Sequence, residues 1–581
     1  MVTTTTGTSI HAPICKYVLR KRSWRLLTIT AVLVWLLTAV STRSEAPWIA
    51  FLVINTLIAG ISWLLTVVPV LVLRRYSLTT RWATEPTLGA YVLAQLSKAS
   101  TWRQVSVLAA SGSATAFLHV FSVYSGDAWL RNDPRLAFFA PTKRYPYQLN
   151  ERFVFTVLCL AWAGITYASK DVLLQRNVVR WAPKSHKTVG RTIQARLQDA
   201  ALEVAIGAIL FPVIFWAIYL ILRVPCIRLL LSIPLARPFI ALFLRNSSAV
   251  YDLSLYRHAA GLLFRVLLTW ESAQSLFDAY SSYPVKVIPL ASDPSKALVQ
   301  GVKITDPYFE YMAWHEIARL APEARRALFA QPPLWTSLVR DALLRLGRDY
   351  QLLLHRGTPP APAAAPAKTG TQAATVPTAR VTPAEIIRTG VIKTDAPQSP
   401  LRFLADDGAV TKALSSVPDL FLSASPVRGA MSKLGESIPG KEAIVPALAG
   451  KHLEPLVATP AALQSVWAQV RAIWTSARPD SAAHKAAPNA ALDLAVVDAL
   501  SRLVAASLTE DAIGTVQRDI PRVLEALCAL LEAAEEAGIA NMVSGLRAGI
   551  SLICSTFGER MRAFRIPVRT ARKLQAFLDY M

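Results

Sequence analysis

Leu26–Val40, Trp48–Leu73, Val105–Tyr124, Phe153–Ala168 and Val204–Leu222 are apolar runs that crowd the first half of the chain. At about 1.5 Å per helical residue each is long enough, with its flanks, to cross a hydrocarbon layer about 30 Å thick. Lipid, as much as a water-excluded core, therefore sets the fold of this half. A further segment, Leu229–Leu244, contains Pro234, Arg237 and Pro238, so a re-entrant or interfacial path competes with a sixth span there. Composition points the same way. Of 581 residues 53% are hydrophobic and 17% charged, against about 25% charged in an ordinary soluble domain.

The charge is also lopsided, with 62 Lys plus Arg against 38 Asp plus Glu and a net charge of +24. If the N-terminus lies on the cytoplasmic side, the inner segments hold roughly twice as many Lys and Arg as the outer loops, which favours that orientation. The inner group opens with Lys16, Arg20, Lys21, Arg22 and Arg25 and continues through Arg74 and Arg75. Six passages return everything after Arg245 to the cytoplasm; five leave it outside. Trp24, Trp48, Trp102, Tyr124, Tyr167 and Tyr219 sit at or near the expected ends, where amphipathic rings suit the headgroup layer. In the third and fourth runs Gly112 and Ala116, and Gly164 and Ala168, recur at four-residue spacing, the pattern that lets helix backbones approach closely. Asn55, His119 and Arg237 are strongly polar positions inside the runs; hydrogen bonding between helices or snorkelling accounts for them more simply than a transport path.

Chemistry-bearing motifs are scarce. Cys15, Cys159, Cys226, Cys528 and Cys554 form no C-x-x-C pair, which suits a reducing compartment rather than a disulfide framework or zinc site. His315-Glu316 opens like H-E-x-x-H, but Arg319 stands where the second imidazole would be. No P-loop, dinucleotide fingerprint or nucleophile elbow is present. No catalytic, cofactor-binding or metal-ligating residues are expected. Because much of the basic excess abuts membrane segments, anionic lipid is a simpler partner than nucleic acid.

After the last apolar run, Tyr251–Tyr280 reads as a long helix carrying Leu263, Leu267 and Trp270 on its apolar surface and Arg257 and Arg265 among them. Two placements are open. It lies in the membrane interface with Arg257 and Arg265 among headgroups, or it packs on its own domain. Helical patterning continues through Pro307–Leu320, Pro322–Phe329 and Leu334–Tyr350. From Gly357 to Pro400 a Pro-, Ala- and Thr-rich composition predicts a disordered linker. Leu401–Leu456 is ambiguous. Pro460–Ala477, Ala490–Leu508, Val516–Ala537, Ala540–Phe557 and Val568–Tyr580 again carry helical periodicity, as in a bundle or stacked helical pairs.

Two stretches resemble the Ndc-type transmembrane nucleoporins, a family of pore-membrane proteins. One is Asp133-Pro134-Arg135 through Pro141, followed by Tyr145-Pro146-Tyr147-Gln148-Leu149-Asn150-Glu151. The other is Phe309 to Ala318, containing Glu316, followed by Arg325-Arg326-Ala327-Leu328-Phe329. The resemblance implies six membrane crossings with both termini on the cytoplasmic or pore-facing side. It also implies a role in anchoring and inserting nuclear pore complexes, and in fungi spindle pole bodies, in the nuclear envelope. Implied partners are other pore-membrane nucleoporins, soluble inner-ring nucleoporins and spindle pole body components, beside the anionic bilayer.

The expected fold class is thus all-α: a polytopic membrane protein with about six transmembrane helices, then a mostly helical cytoplasmic C-terminal region interrupted by a disordered linker. The expected segments are 1–25, a basic N-terminus; 26–245, the membrane domain; 246–356, a membrane-proximal helical region; 357–400, the linker; and 401–581, a helical domain. A polytopic lipid-modifying enzyme and a secondary transporter are the rival classes. The first needs a His or Asp cluster at the membrane face and the second needs paired repeats with midplane charge.

Overall fold

The computed structural model describes residues 10–41, 48–127, 137–139, 148–181, 189–233, 237–240, 243, 253–357, 468–469 and 471–578. The protein is helical throughout these residues, with no β-strand beyond isolated bridges. The first group of helices is α1 (His11–Ser41), α2 (Trp48–Ser77), α3 (Leu88–Leu96), α4 (Ala99–Asp127), α5 (Glu151–Leu173), α6 (Val189–Leu231), α7 (Arg237–Ile240) and α8 (Leu253–Ser282). Among the described residues α1, α2, α4, α5 and α6 are long and apolar enough to cross a membrane. Their outward faces carry unpaired apolar side chains, such as Val53, Leu57, Leu202 and Ile221, that only a lipid environment would cover without cost. The basic stretch expected to precede the first span forms the opening turns of α1.

The sixth apolar segment does not form a spanning helix among its described residues. Leu229–Leu231 finish α6, and Arg237–Ile240 make only the short α7. Proline removes a backbone donor and clashes with the preceding turn, so the Pro234 and Pro238 positions oppose one continuous helix.

The helix that runs the length of the bundle in its place is α8. Near its start, Leu255 and Ala259 are buried with Phe155 of α5 and Phe215 of α6. Near its end, Trp270, Ala273 and Leu276 join a core built with Leu26 of α1, Val67 and Val70 of α2, Leu108 of α4 and Leu160 of α5. Since α5 starts and α6 finishes at the end where α8 begins, α8 runs parallel to α5 and antiparallel to α6. Leu263 and Trp270 are fully buried and Leu267 nearly so. Of the two placements left open for this helix, these contacts favour packing on its own domain. Those side chains fill space between helices, Arg265 lies half-buried beside His119 of α4, and only Arg257 of the five named positions is exposed.

Beyond α8 the chain builds a second body: α9 (Pro294–Val302), α10 (Pro307–Ile317), α11 (Pro322–Phe329), α12 (Pro332–Leu354), α13 (Pro479–Ala486), α14 (Ala490–Glu510), α15 (Ile520–Glu536), α16 (Ala540–Phe557) and α17 (Val568–Leu578). Prolines open α9 to α12, where a missing N–H costs nothing and the fixed φ suits the first turn. The stop after α15 is equally local. Gly538 takes φ +69°, and the Gly538 and Ile539 amides donate to the carbonyls of Glu535 and Ala534, the left-handed closure that glycine permits. One core unites this platform: Trp314, Phe329 and Trp335 from α10 to α12 pack with Leu500, Leu527 and Ile553 from α14 to α16. Residues 358–400 of the expected 357–400 linker, the ambiguous 401–456 and half of Pro460–Ala477 lie outside the described residues.

Candidate functional site

The bundle and the platform meet at one end of the membrane helices, and the meeting is polar. Arg22 of α1 aims its guanidinium at the last carbonyls of α8 and just beyond, with Nη1 donating to Tyr280 O (3.1 Å) and Tyr283 O (2.6 Å) and Nη2 to Pro284 O (2.7 Å). A cation on the unsatisfied carbonyls of a helix C-terminus complements the helix dipole as well as capping it. Arg74, at the end of α2, pairs with Asp278 of α8 and donates to Asn177 Oδ1 at 3.1 Å. At the end of α5 a third set converges on α8. Tyr167 donates to Glu271 Oε2 (2.8 Å), Arg176 engages both Glu271 oxygens, and Gln274 donates to Asp171 Oδ2 (2.5 Å). Glu271 and Asp171 are buried, so these partners are what makes their charge tolerable among apolar helices.

The start of α1 is itself embedded in the platform. The Ile10 amide donates to Gln300 Oε1 at 3.2 Å, and Cys15 is buried with Val285, Val287, Ala297 and Met312. A methyl on Gly301 of α9 would overlap the His11 ring. Beside this, Trp181, just after α5, stacks on Tyr311 of α10 with centroids 3.7 Å apart. The segment around 476–478 pairs with the loop before α3: Leu88 N donates to Ser476 O and Arg478 N to Pro86 O. Arg478 sits 4.6 Å over the Tyr91 ring, and Trp474 presses on Gly89, where any Cβ would overlap the indole.

The positions that carry the family resemblance fall at three separate places, each with a structural task. At the far end of the bundle Asn150 caps α5, its side chain accepting from Arg152 N at 3.0 Å. Glu151 pairs with Arg223 of α6 (Nε to Oε1 2.6 Å, Nη2 to Oε2 3.0 Å) and accepts from Tyr219. Gln148 is buried, and the Leu149 amide donates to Phe239 O of α7; Tyr147 lies outside the described residues. In the platform, Glu316 accepts from the Val287 and Ile288 amides (2.6 and 2.9 Å), fixing the turn that follows α8. Burial raises its pKa, and those two amides oppose the rise. Arg325 forks onto Glu510 at the end of α14 (2.8 and 2.5 Å) and donates to Leu320 O. Arg326 is exposed, and Phe329 is buried edge-on against Trp335.

The small-residue faces mark where α4 and α5 touch. A Cβ on Gly112 would overlap the Leu160 carbonyl, and one on Gly164 the Leu108 carbonyl, while Ala116 and Ala168 are fully buried. Asn55 donates towards Trp35 O at 3.5 Å between α1 and α2.

Deeper in the platform Arg345 of α12 faces a buried acidic group: Asp349 at 3.2 Å, Glu310 at 3.5 Å and Asp493 of α14 at 3.9 Å. Burial first, and neighbouring Asp349 second, push the Asp493 carboxyl well above the ordinary aspartate range. Among the described residues no cluster of His, Cys, Asp and Glu could hold a metal ion. The arrangement joins helices to one another rather than presenting reacting groups.

The residues that carry this junction, Arg22, Arg74, Arg176 and Glu271, were not singled out in the sequence for pairing. Glu271 did leave a signal: a carboxylate in an otherwise apolar helix next to membrane spans needs a cationic partner.

Comparison with known proteins follows the same lines. The profile of a family described as Nucleoporin protein Ndc1-Nup matches residues 17–575. Nucleoporin NDC1 of Xenopus laevis is 30% identical over 129 residues, covering 18% of this chain and 20% of that protein. Nucleoporin NDC1 of Homo sapiens is 28% identical over 129 residues, covering 18% and 19%. The chain therefore matches about a fifth of the length of these relatives.

Proposed function

Because this chain belongs to the Ndc1-Nup nucleoporin family, we propose that it is a non-enzymatic membrane scaffold that anchors nuclear pore complexes in the nuclear envelope and helps insert them, serving spindle pole bodies as well where the organism has them. Six passages, α1, α2, α4, α5, α6 and α8, hold it in the bilayer. Both described ends lie on the cytoplasmic or pore-facing side, and the platform recruits other pore-membrane nucleoporins, soluble inner-ring nucleoporins and spindle pole body components.

The observation that carries this reading is that α1 starts and α8 finishes at the end of the bundle that meets the platform: Arg22 of α1 holds the Tyr280, Tyr283 and Pro284 carbonyls, while Ile10 and Cys15 contact α9 and α10. An even number of passages follows when a chain enters and leaves a bundle at one end. The junction also ties the anchor to the docking body, so that load on the platform reaches the membrane helices without passing through a single linker.

The test is a C-terminal fluorescent tag combined with glycosylation acceptor sites placed in the loops. A punctate nuclear rim, glycosylation between α6 and α8, and none between α8 and α9 support the reading. Diffuse membrane signal, or glycosylation after α8, overturns it.

A further inference from the structure

A cavity of about 590 Å³ opens at the junction between α1, the end of α2, the end of α8 and the start of α10. Its polar lining holds Arg22, Arg75 and Arg81 against a single carboxylate, Asp306. Asp306 is already committed, its Oδ1 accepting from Tyr308 N at 3.0 Å to cap α10. Arg22 is held in place by carbonyls at and just beyond the end of α8, and exposed Arg81 pairs with no carboxylate among the described residues. Thr79, Thr80 and Ser281 add hydroxyls. The rest of the lining is largely apolar, with Leu19 and Leu26 from α1, Phe277 from α8 and Phe309 from α10. Leu26 is also part of the core shared by the membrane helices, so the greasy wall continues into the bundle.

We infer that this cavity binds one anionic phospholipid, its phosphate against Arg75 and Arg81 and the first part of its acyl chains along Leu26 and Phe277. Three features select that ligand. The positive excess and the hydroxyls suit a phosphate anion. The volume lies in the range of sites for whole small molecules, roughly 300–1,000 Å³, and far exceeds what a lone phosphate would fill. Arg74 and Arg75 close the apolar run of α2, which sets the cavity at headgroup depth, where basic pockets between membrane helices take lipid headgroups. The last argument rests on the membrane-anchor reading, since it needs this end of the bundle at a bilayer surface.

The experiment uses the full-length protein in detergent and reads thermal stabilisation by short-chain dioctanoyl phosphatidylinositol 4-phosphate, dioctanoyl phosphatidylcholine and soluble inositol 1,4-bisphosphate. The anionic lipid is expected to raise the Tm saturably and the other two to do so much less. Neutralising Arg75 and Arg81 (R75Q/R81Q) weakens the apparent affinity by roughly fivefold for each arginine removed, and T80W, which fills the cavity, abolishes it. Equal stabilisation by the soluble bisphosphate overturns the lipid as ligand in favour of a free phosphate compound. No preference over phosphatidylcholine, or wild-type affinity in R75Q/R81Q and T80W, overturns the site. Each variant is also imaged: a wild-type protein at the nuclear rim that binds no anionic lipid defeats this inference alone, whereas loss of the rim signal for the wild type defeats the anchor reading.

Discussion

Asp493 shows how a single side chain can make the platform sensitive to pH. It is fully buried and faces Asp349 and Glu310, with Arg345 3.9 Å away as its cationic neighbour. Its pKa is raised in the folded protein, so above about pH 4, where an unfolded aspartate titrates, the native state holds a proton that the unfolded chain has lost. Stability contributed by this group is complete below that pH and declines as pH rises towards its native pKa, by at most about 1.4 kcal/mol per pH unit. Asp493→Asn keeps the neutral shape without the proton. The variant should show a flatter dependence of Tm on pH than the wild type between about pH 5 and 8, followed by differential scanning fluorimetry in detergent. A slope unchanged by the substitution would count against a protonated Asp493. Gly164 is a residue of another kind, constrained by space alone. Gly164→Leu drives a side chain into the Leu108 carbonyl and should cost about 1–3 kcal/mol or more through overpacking, while an exposed control such as Gly190→Leu, where a Cβ meets nothing within 4 Å, should leave the Tm nearly unchanged.

Elements divide by how their polar groups are served. The apolar runs of α1, α2, α4, α5 and α6 announce themselves in the sequence because their outer faces meet lipid, and hydropathy reads that solvent directly. Helix α8 carries Arg257, Arg265, Glu271 and Asp278, and its lower hydropathy reads as an amphipathic surface helix. Its charges are instead met inside the protein, by Arg176 for Glu271 and by Arg74 for Asp278, partners on α2 and just after α5 that no local window can see. The same limit hid the junction: Arg22 and Tyr283 are 261 residues apart in the chain. The family-motif positions could be picked out, but not their tasks as caps and clamps on other helices. A buried α8 makes a prediction that a surface helix would not. Glu271→Ala removes the carboxylate that Arg176 engages with both guanidinium nitrogens, leaving it Asp171 at 3.3 Å, and should destabilise the full-length protein by up to about 3–5 kcal/mol. Leu263→Glu, at a fully buried position, should prevent assembly of the bundle. Both are read as loss of monodisperse protein in detergent size-exclusion chromatography; normal folding of Leu263→Glu with only weaker membrane association would restore the surface placement.

At the scale of the whole molecule, the platform is one body built from two parts of the chain. Trp335 of α12 is fully buried and its Nε1 donates to Asp519 at 3.0 Å, just before α15. Arg325 of α11 forks onto Glu510 of α14, and Asn489 donates to Asp349 across α14 and α12. Removing residues 468–578 would strip cover from Trp314, Phe329, Trp335 and Leu338 together, and exposing side chains of this size costs about 1.5–3 kcal/mol each. The helices α9 to α12 therefore should not remain ordered alone, and the platform should fold only when both parts are present. Cutting the backbone between them is a different matter, because the contacts across the shared core do not need the covalent connection. A protease site inserted near residue 400 and cleaved after purification should leave the two pieces co-eluting in detergent, with Tm lowered only modestly, until denaturant separates them. The companion truncation at residue 357 should aggregate or fray at α9 to α12 in hydrogen exchange while α1, α2, α4 and α5 stay protected. If the cleaved pieces part under native conditions, the shared core is not what holds the platform together, and the C-terminal helices behave as a tethered domain of their own.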